Sequence, residues 1–385
     1  MRRPRVDELD GLRALLALWV VACHIFCWCG FIDAKVPAYL NFFWSEFISG
    51  GSAVETFMIL SGFAISFLLN GRPQNYLQFL TGRFFRIYPV YLICLMLGLA
   101  STYLVPSILQ TAQWKSTIYF GFVHSHYVAE RSNMGPHLFW HFTLLNGLLP
   151  KQVLLDSTGT FLPPAWSITL EWQYYLVAPL LALMVRSGTG ILALTLISLI
   201  GRHFGGPWVN SQWAFLPAQL PLFLMGIGSY HVYDSFCHSG QPKSRLFALL
   251  AATLLAAAIL SGYFWVPLVI WTAAIGSVFV RGDDLLSRCL AVVRWMLLLS
   301  LLQKLGRMSY CIYLIHWPII LFCLFVFLHL RPALSAESML LLLFLIGVPV
   351  ILFASAILHE YIELPAMALG KTLTHRPKAK PDLRS

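Results

Sequence analysis

The chain has 385 residues, of which 58% are hydrophobic and 11% charged, against about 25% charged in an ordinary soluble domain. That balance excludes a soluble enzyme and predicts an integral membrane protein, with a length that suits one helical bundle joined by short loops. The net charge of +10 follows membrane topology, as the span positions make clear, and calls for no nucleic-acid partner.

Met1 to Arg5 and the apolar run behind them begin like a signal peptide. Asp7, Glu8, Asp10 and Arg13 interrupt the junction and no small-residue cleavage site follows before Trp28, so the run reads as a retained first span. Apolar runs predict helices near 12–31, 53–69, 87–104, 167–185, 189–204, 213–233, 246–261, 264–280, 308–328 and 339–357. An even number of spans puts both ends on one side. With the N-terminus cytoplasmic, twenty of the 26 lysines and arginines fall inside and six outside, as the positive-inside rule requires. The expected fold is therefore all-α, a bundle of about ten transmembrane helices with both termini cytoplasmic, multi-pass in a cell membrane and most simply a bacterial inner membrane. Residues 1–374 form its one domain and 375–385 a basic, disordered tail.

Residues 137–149 are apolar but too short to span, and they read as a partly inserted helix within an outer loop from Val105 to Pro164. Trp114, Tyr119, His124, His126, Tyr127, Trp140 and His141 in that loop suit interfacial anchoring before sugar stacking. None of the eight cysteines forms a C-x-x-C pair, so neither a disulfide framework nor a metal site is expected.

In the first span, Arg13 and His24 are eleven steps apart, which returns to within roughly 20° of one helix face about 16 Å further along the axis. Both side chains are expected to look into one cavity, with Asp10 beside Arg13. Arg13 can equally snorkel to the headgroups, and His24 can be a hydrogen-bonded core residue. The second span carries Ser61-Gly62, a pair that permits close helix approach, and Glu55, an embedded carboxylate with no local partner. Arg83 and Arg86, three apart, share a helix face and can converge on one anion, with Arg72 nearby, or can serve as cytoplasmic anchors. The outer loop closes on Pro163-Pro164-Ala165-Trp166-Ser167, and Glu171 and Tyr174 follow one and two turns later. Tyr313 and His316 lie in a late span and Glu363 at the inner face, where it can neutralise Arg13 or a loop arginine.

Five segments resemble, in order, the hallmarks of the membrane-bound acyltransferase-3 family: LDGLRALLALWVVACH, the Ser-Gly-Phe at 61–63, GRFFRIYP, WSITLEWQYYL and the SYCIYLIHWP span, with Glu363-Leu364-Pro365 closing the series. Ile168 and Tyr174 depart from the family's Leu and Phe. The resemblance implies an acyl-CoA co-substrate, acetyl-CoA by default, on the cytoplasmic side and no bound cofactor. It implies as acceptor a carbohydrate hydroxyl on a surface or lipid-linked glycan. Acyl transfer to an alcohol needs a base for its proton and a positive group for the oxyanion. On this reading His24 is the base, Arg13 a donor-binding or positioning group, and Arg83, Arg86, Arg72, Ser61 and Gly62 the donor site. Glu171 and Trp166 line the acceptor side, supported by Asp10, Glu55, Ser167, Tyr174, Tyr313, His316 and Glu363. An acyl-His24 intermediate and direct transfer both remain open. Acylation of a small hydroxylated metabolite is the alternative within the family, and a proton-coupled transporter is the rival outside it.

Overall fold

The computed structural model describes residues 6–71, 74–114, 117–239, 265–279 and 282–374, and among these the regular structure is helical. In hydrocarbon every backbone polar group must find its partner within the segment, and a helix does this locally. Helix α1 (Glu8–Trp28) opens with Glu8 and Asp10 in its first turn, where carboxylates complement the helix dipole, and ends before Gly30, whose φ of 81° is the left-handed conformation that glycine adopts freely. A short outer helix, α2 (Asn41–Ser49), leads through Gly50 into α3 (Gly51–Gly71).

Helix α4 (Tyr76–Thr102) starts eleven residues before the predicted span. Asn75 caps it reciprocally with Gln78, so Arg83 and Arg86 stand inside the helix, ahead of its interior Pro89. The outer loop is built of α5 (Val105–Thr111), α6 (Thr117–Ser132) and α7 (Met134–Thr143). At ten residues α7 is about 15 Å long, half the apolar thickness of a bilayer, and Leu144 in the left-handed region ends it. Helices α8 (Trp166–Met184), α9 (Gly188–Trp208), α10 (Leu216–Ser239) and α11 (Trp265–Phe279) follow near their predicted places. The predicted span 246–261, Arg72 and the tail at 375–385 lie outside the described residues.

The basic stretch expected to be an inner loop is instead two helices, α12 (Leu285–Leu297) and α13 (Ser300–Arg307), bent by 60° and packed on α1. Glycines make that contact possible: a Cβ on Gly306 would run into the Asp10 carbonyl, and one on Gly11 into that of Leu297. Helix α14 (Ser309–Leu330) is followed by one long helix, α15 (Ala336–Thr374), which contains π turns at Leu343–Gly347 and His359–Glu363.

Among the described residues six helices (α1, α3, α4, α9, α14 and α15) are long and apolar enough to cross a membrane, and the bent α12–α13 pair makes a seventh if it counts as one span. The protein is a multi-pass membrane protein. Its core lies where α1, α3, α4, α8, α10 and α14 meet, and two cavities open within it.

Candidate active site

The inner cavity, about 140 Å³, is lined by Arg13, Arg83, Arg86, Glu171, Ser61, Ser167, Tyr175, Tyr310 and Tyr313 among others. Arg13 donates to Asp10 at 2.8 Å. Arg86 pairs with Glu363, one of the two partners proposed for it, and the second π turn carries that carboxylate. His359 Nδ1 donates to the other oxygen of Glu363 at 2.6 Å. Arg83 has no ion-pair partner among the described residues; its Nε is buried without an acceptor and its guanidinium stands 5.8 Å from the Tyr175 ring centroid. Glu171 accepts from Ser61 at 3.1 Å and from Tyr175 at 2.5 Å.

The outer cavity is larger, about 660 Å³, and His24, Trp166 and Trp317 line it together with Glu46, Glu55, His126 and Asp156. His24 meets His316 across the α1–α14 contact, and the hydrogen bonds around the pair fix both tautomers. His316 Nδ1 donates to the Ile312 carbonyl at 3.3 Å, which leaves a lone pair on Nε2. That nitrogen accepts from His24 Nδ1 at 3.1 Å, while the same His24 N–H also reaches the Val20 carbonyl at 2.9 Å. His24 Nε2 is therefore the unprotonated nitrogen, and it has no hydrogen-bond partner among the described residues.

A thin layer separates the cavities. Ser167 Oγ donates to Tyr313 Oη at 2.8 Å, and Tyr313 donates to the Pro164 carbonyl at 2.8 Å. Pro164 faces the outer cavity and Ser167 and Tyr313 the inner one. The Tyr313 ring lies 6.1 Å from that of His316. Arg13 and His24 thus share a helix face as the spacing required, but they do not share a cavity. The polar link donated by α8 and α14 fills the interval between them.

Several predicted residues stand elsewhere than expected. Glu171 lines the inner cavity with the arginines and not the acceptor side, because five residues of helix carry it about 7.5 Å inward from Trp166. Gly62 takes no part in a cavity wall: its Cα packs against the α10 backbone, where a Cβ would strike the Phe223 carbonyl. Tyr174 is buried and stacks on Phe223, with ring centroids 4.2 Å apart, so it supports the packing only. Ser167 and Tyr313, expected to support the acceptor side, line the inner cavity with Glu171 and Ser61, and Trp166 and Glu55 line the outer one. Glu55 makes no hydrogen bond among the described residues, and Arg202 acts on it electrostatically.

Sequence reasoning missed Tyr175 and Tyr310 in the inner wall and Asp156 in the outer. Tyr175 is four residues after Glu171, a spacing at which a helix brings side chains together, and so was open to prediction. Asp156 pairs with His126 from thirty residues away in the chain, out of reach of any local motif. The pairing depends on the loop before α8: Asp156 has a φ of 60°, its N–H donates to Asn210 Oδ1 at 2.7 Å, and Asn210 Nδ2 donates to the Leu154 carbonyl at 2.7 Å. Gly159 presses directly on the His126 ring.

A family model described as an acyltransferase domain matches residues 6–360. The chain is 24% identical to acyltransferase MdmB of Streptomyces mycarofaciens over 95% of this chain and 92% of that protein. It is 28% identical to the peptidoglycan O-acetyltransferase OatA of Listeria monocytogenes over 46% of this chain and 24% of that protein. No solved structure matches. With its helices, its ordered motifs and a family model covering nearly the whole sequence in agreement, the chain belongs to the acyltransferase-3 family of membrane acyltransferases.

Proposed function

We propose that the protein moves a short acyl group, acetyl in the first instance, from cytoplasmic acyl-CoA to a carbohydrate hydroxyl presented at the outer face of a bacterial inner membrane. About ten spans with both termini cytoplasmic give this direction. The observation that carries the proposal is the bare Nε2 of His24 in the outer cavity, one hydrogen-bonded layer away from an inner cavity where Arg83 has no ion-pair partner among the described residues.

The parts fit the chemistry. CoA brings phosphates to the inner face, and an arginine fork without a carboxylate partner is suited to them. The inner cavity, about 140 Å³, accommodates the end of an acetyl thioester. In direct transfer the acceptor oxygen attacks the thioester carbonyl carbon as His24 Nε2 takes its proton. Collapse of the tetrahedral adduct breaks the C–S bond, and the proton passes to the departing thiolate. The separation of the cavities favours a relay: Nε2 attacks the thioester carbonyl carbon, the C–S bond breaks, and the imidazolium gives its proton to the departing thiolate; the acceptor hydroxyl then attacks the acyl-imidazole, and its proton passes to the imidazole released. A mass increment of one acyl group on His24 in single turnover distinguishes the relay from direct transfer. Membership in an acyltransferase family leaves the transporter reading without support, while a small hydroxylated metabolite as acceptor uses the same two cavities.

The test is release of free CoA from acetyl-CoA by the protein in lipid vesicles, with and without envelope glycan. Glycan-dependent release should fall by about 10²–10⁴-fold in His24→Ala, the range for loss of a general base. An equally active His24→Ala rejects the proposal.

A further inference from the structure

The outer cavity bears on which hydroxyl compounds it accepts. Three carboxylates line it, Glu46, Glu55 and Asp156, and among the described residues neither lysine nor arginine does. Asp156 is matched by His126, and Glu46 accepts from Ser52 Oγ at 2.6 Å. Glu55 is different. It is only 4% exposed, faces the cavity, and has no hydrogen-bond partner among the described residues; Arg202 acts on it electrostatically from outside the cavity wall. A carboxylate withdrawn from water without a hydrogen bond is costly unless a bound group satisfies it. Trp166, Trp213 and Trp317 supply aromatic faces around the same space, and such faces attract cations as well as sugar rings.

We propose that the outer cavity selects an acceptor that carries a protonated amine beside its hydroxyls, such as an amino sugar, with Glu55 as the counter-charge and Glu46 reinforcing it. Uronic acids and other anionic acceptors are repelled, and N-acetylated sugars bring Glu55 no charge-assisted hydrogen bond. This deepens the acyltransferase reading and rests on it for the identity of the outer cavity as the acceptor site. The volume, about 660 Å³, lies in the range of small-molecule sites and admits a sugar unit whether free or at the end of a larger molecule.

The experiment is calorimetric titration of the full-length protein in lipid nanodiscs, without donor, by methyl glucosaminide, methyl N-acetylglucosaminide and methyl glucuronide. The amine should bind about tenfold more tightly than its N-acetyl counterpart, the factor expected of one charge-assisted hydrogen bond. In Glu55→Gln the two affinities should converge while that for the N-acetyl sugar holds, which also shows that the variant is folded. Should that variant fail to fold, Glu46→Gln should narrow the gap. Equal or tighter binding of the N-acetyl sugar or the uronide, no detectable binding of the amine, or a preference untouched by both substitutions overturns the proposal. Because no donor is present, an amine preference that survives alongside a failure of acyl transfer defeats the transferase reading alone.

Discussion

In the proposed mechanism His24 acts as the base, with its partner His316 holding the tautomer that the role needs. The bond from His24 Nδ1 to His316 Nε2 leaves the other His24 nitrogen bare, and it aims the ring. Replacing His316 with leucine removes that acceptor and leaves Val20 as the only restraint. The turnover number should fall about tenfold, the worth of one hydrogen bond, with the KM for acyl-CoA unchanged; a shift in KM alone would place His316 in donor binding. Arg86 makes a different case. Its pairing with Glu363 is buried on the carboxylate side, and removing one partner of such a pair typically costs about 3–5 kcal/mol. Glu363→Ala and Arg86→Ala should each lower thermal stability, and the double variant should be less destabilised than the sum of the two. Strict additivity would mean that the pair is not coupled.

At the scale of elements, the contact of α3 with α10 separates packing from chemistry. Gly62 on α3 meets the Phe223 carbonyl, and Gly226 on α10 meets that of Ile59, so each helix presses backbone to backbone at a glycine. Gly62→Ala should cost about 1–3 kcal/mol of stability as the helices are forced apart, while the folded fraction keeps its KM for acyl-CoA; a selective loss of donor affinity would return Gly62 to the binding site. The outer loop is sensitive to pH for a related reason, since it buries histidines. Burial and the neighbouring His137 push His141 down to about 3, and burial also lowers His137. A depressed folded value means that the unfolded chain takes up protons first. The stability contributed by these two histidines is therefore complete above pH 6.5 and is lost as pH falls toward 3. Glu130, raised by burial, runs in the opposite sense and gives up stability as pH rises past its ordinary range. Melting temperature should drop between pH 7 and 5, and His141→Asn should flatten that slope; an unchanged slope would assign the acid sensitivity to other groups.

Part of the span pattern was legible in the sequence because a run of apolar residues long enough to cross hydrocarbon has few other uses: α1, α3, α4 and α14 stand where such runs stand, while six or seven helices among the described residues, against ten expected, are long and apolar enough to cross. The facing of Arg13 and His24 along α1 was legible for the same reason, as a consequence of helix pitch. What separates them was not, because the layer is assembled from Pro164, Ser167 and Tyr313, whose meeting depends on how α8 docks against α14. The His126–Asp156 pairing and the helical character of 285–307 were hidden likewise: both arise from tertiary contact, and a basic amphipathic stretch reads as a loop until α1 is there to receive it.

That layer makes its own prediction about the whole molecule. Acyl transfer across a membrane requires that the donor thioester meet the acceptor and not water, and the outer cavity is the larger of the two. The Tyr313 hydroxyl holds α14 to the carbonyl of Pro164 and receives the Ser167 proton, so it closes the direct path between the cavities. Tyr313→Phe removes both hydrogen bonds and keeps the ring; Tyr313→Ala opens the layer. Release of CoA in the absence of any acceptor should rise modestly in the first and severalfold in the second, while glycan-dependent transfer falls, since water reaches the acyl group in place of the hydroxyl. The measurement is the ratio of acceptor-independent to acceptor-dependent CoA release in vesicles. If that ratio stays constant while both rates fall together, Tyr313 serves the chemistry on either side of the layer and the barrier to water lies elsewhere in the bundle.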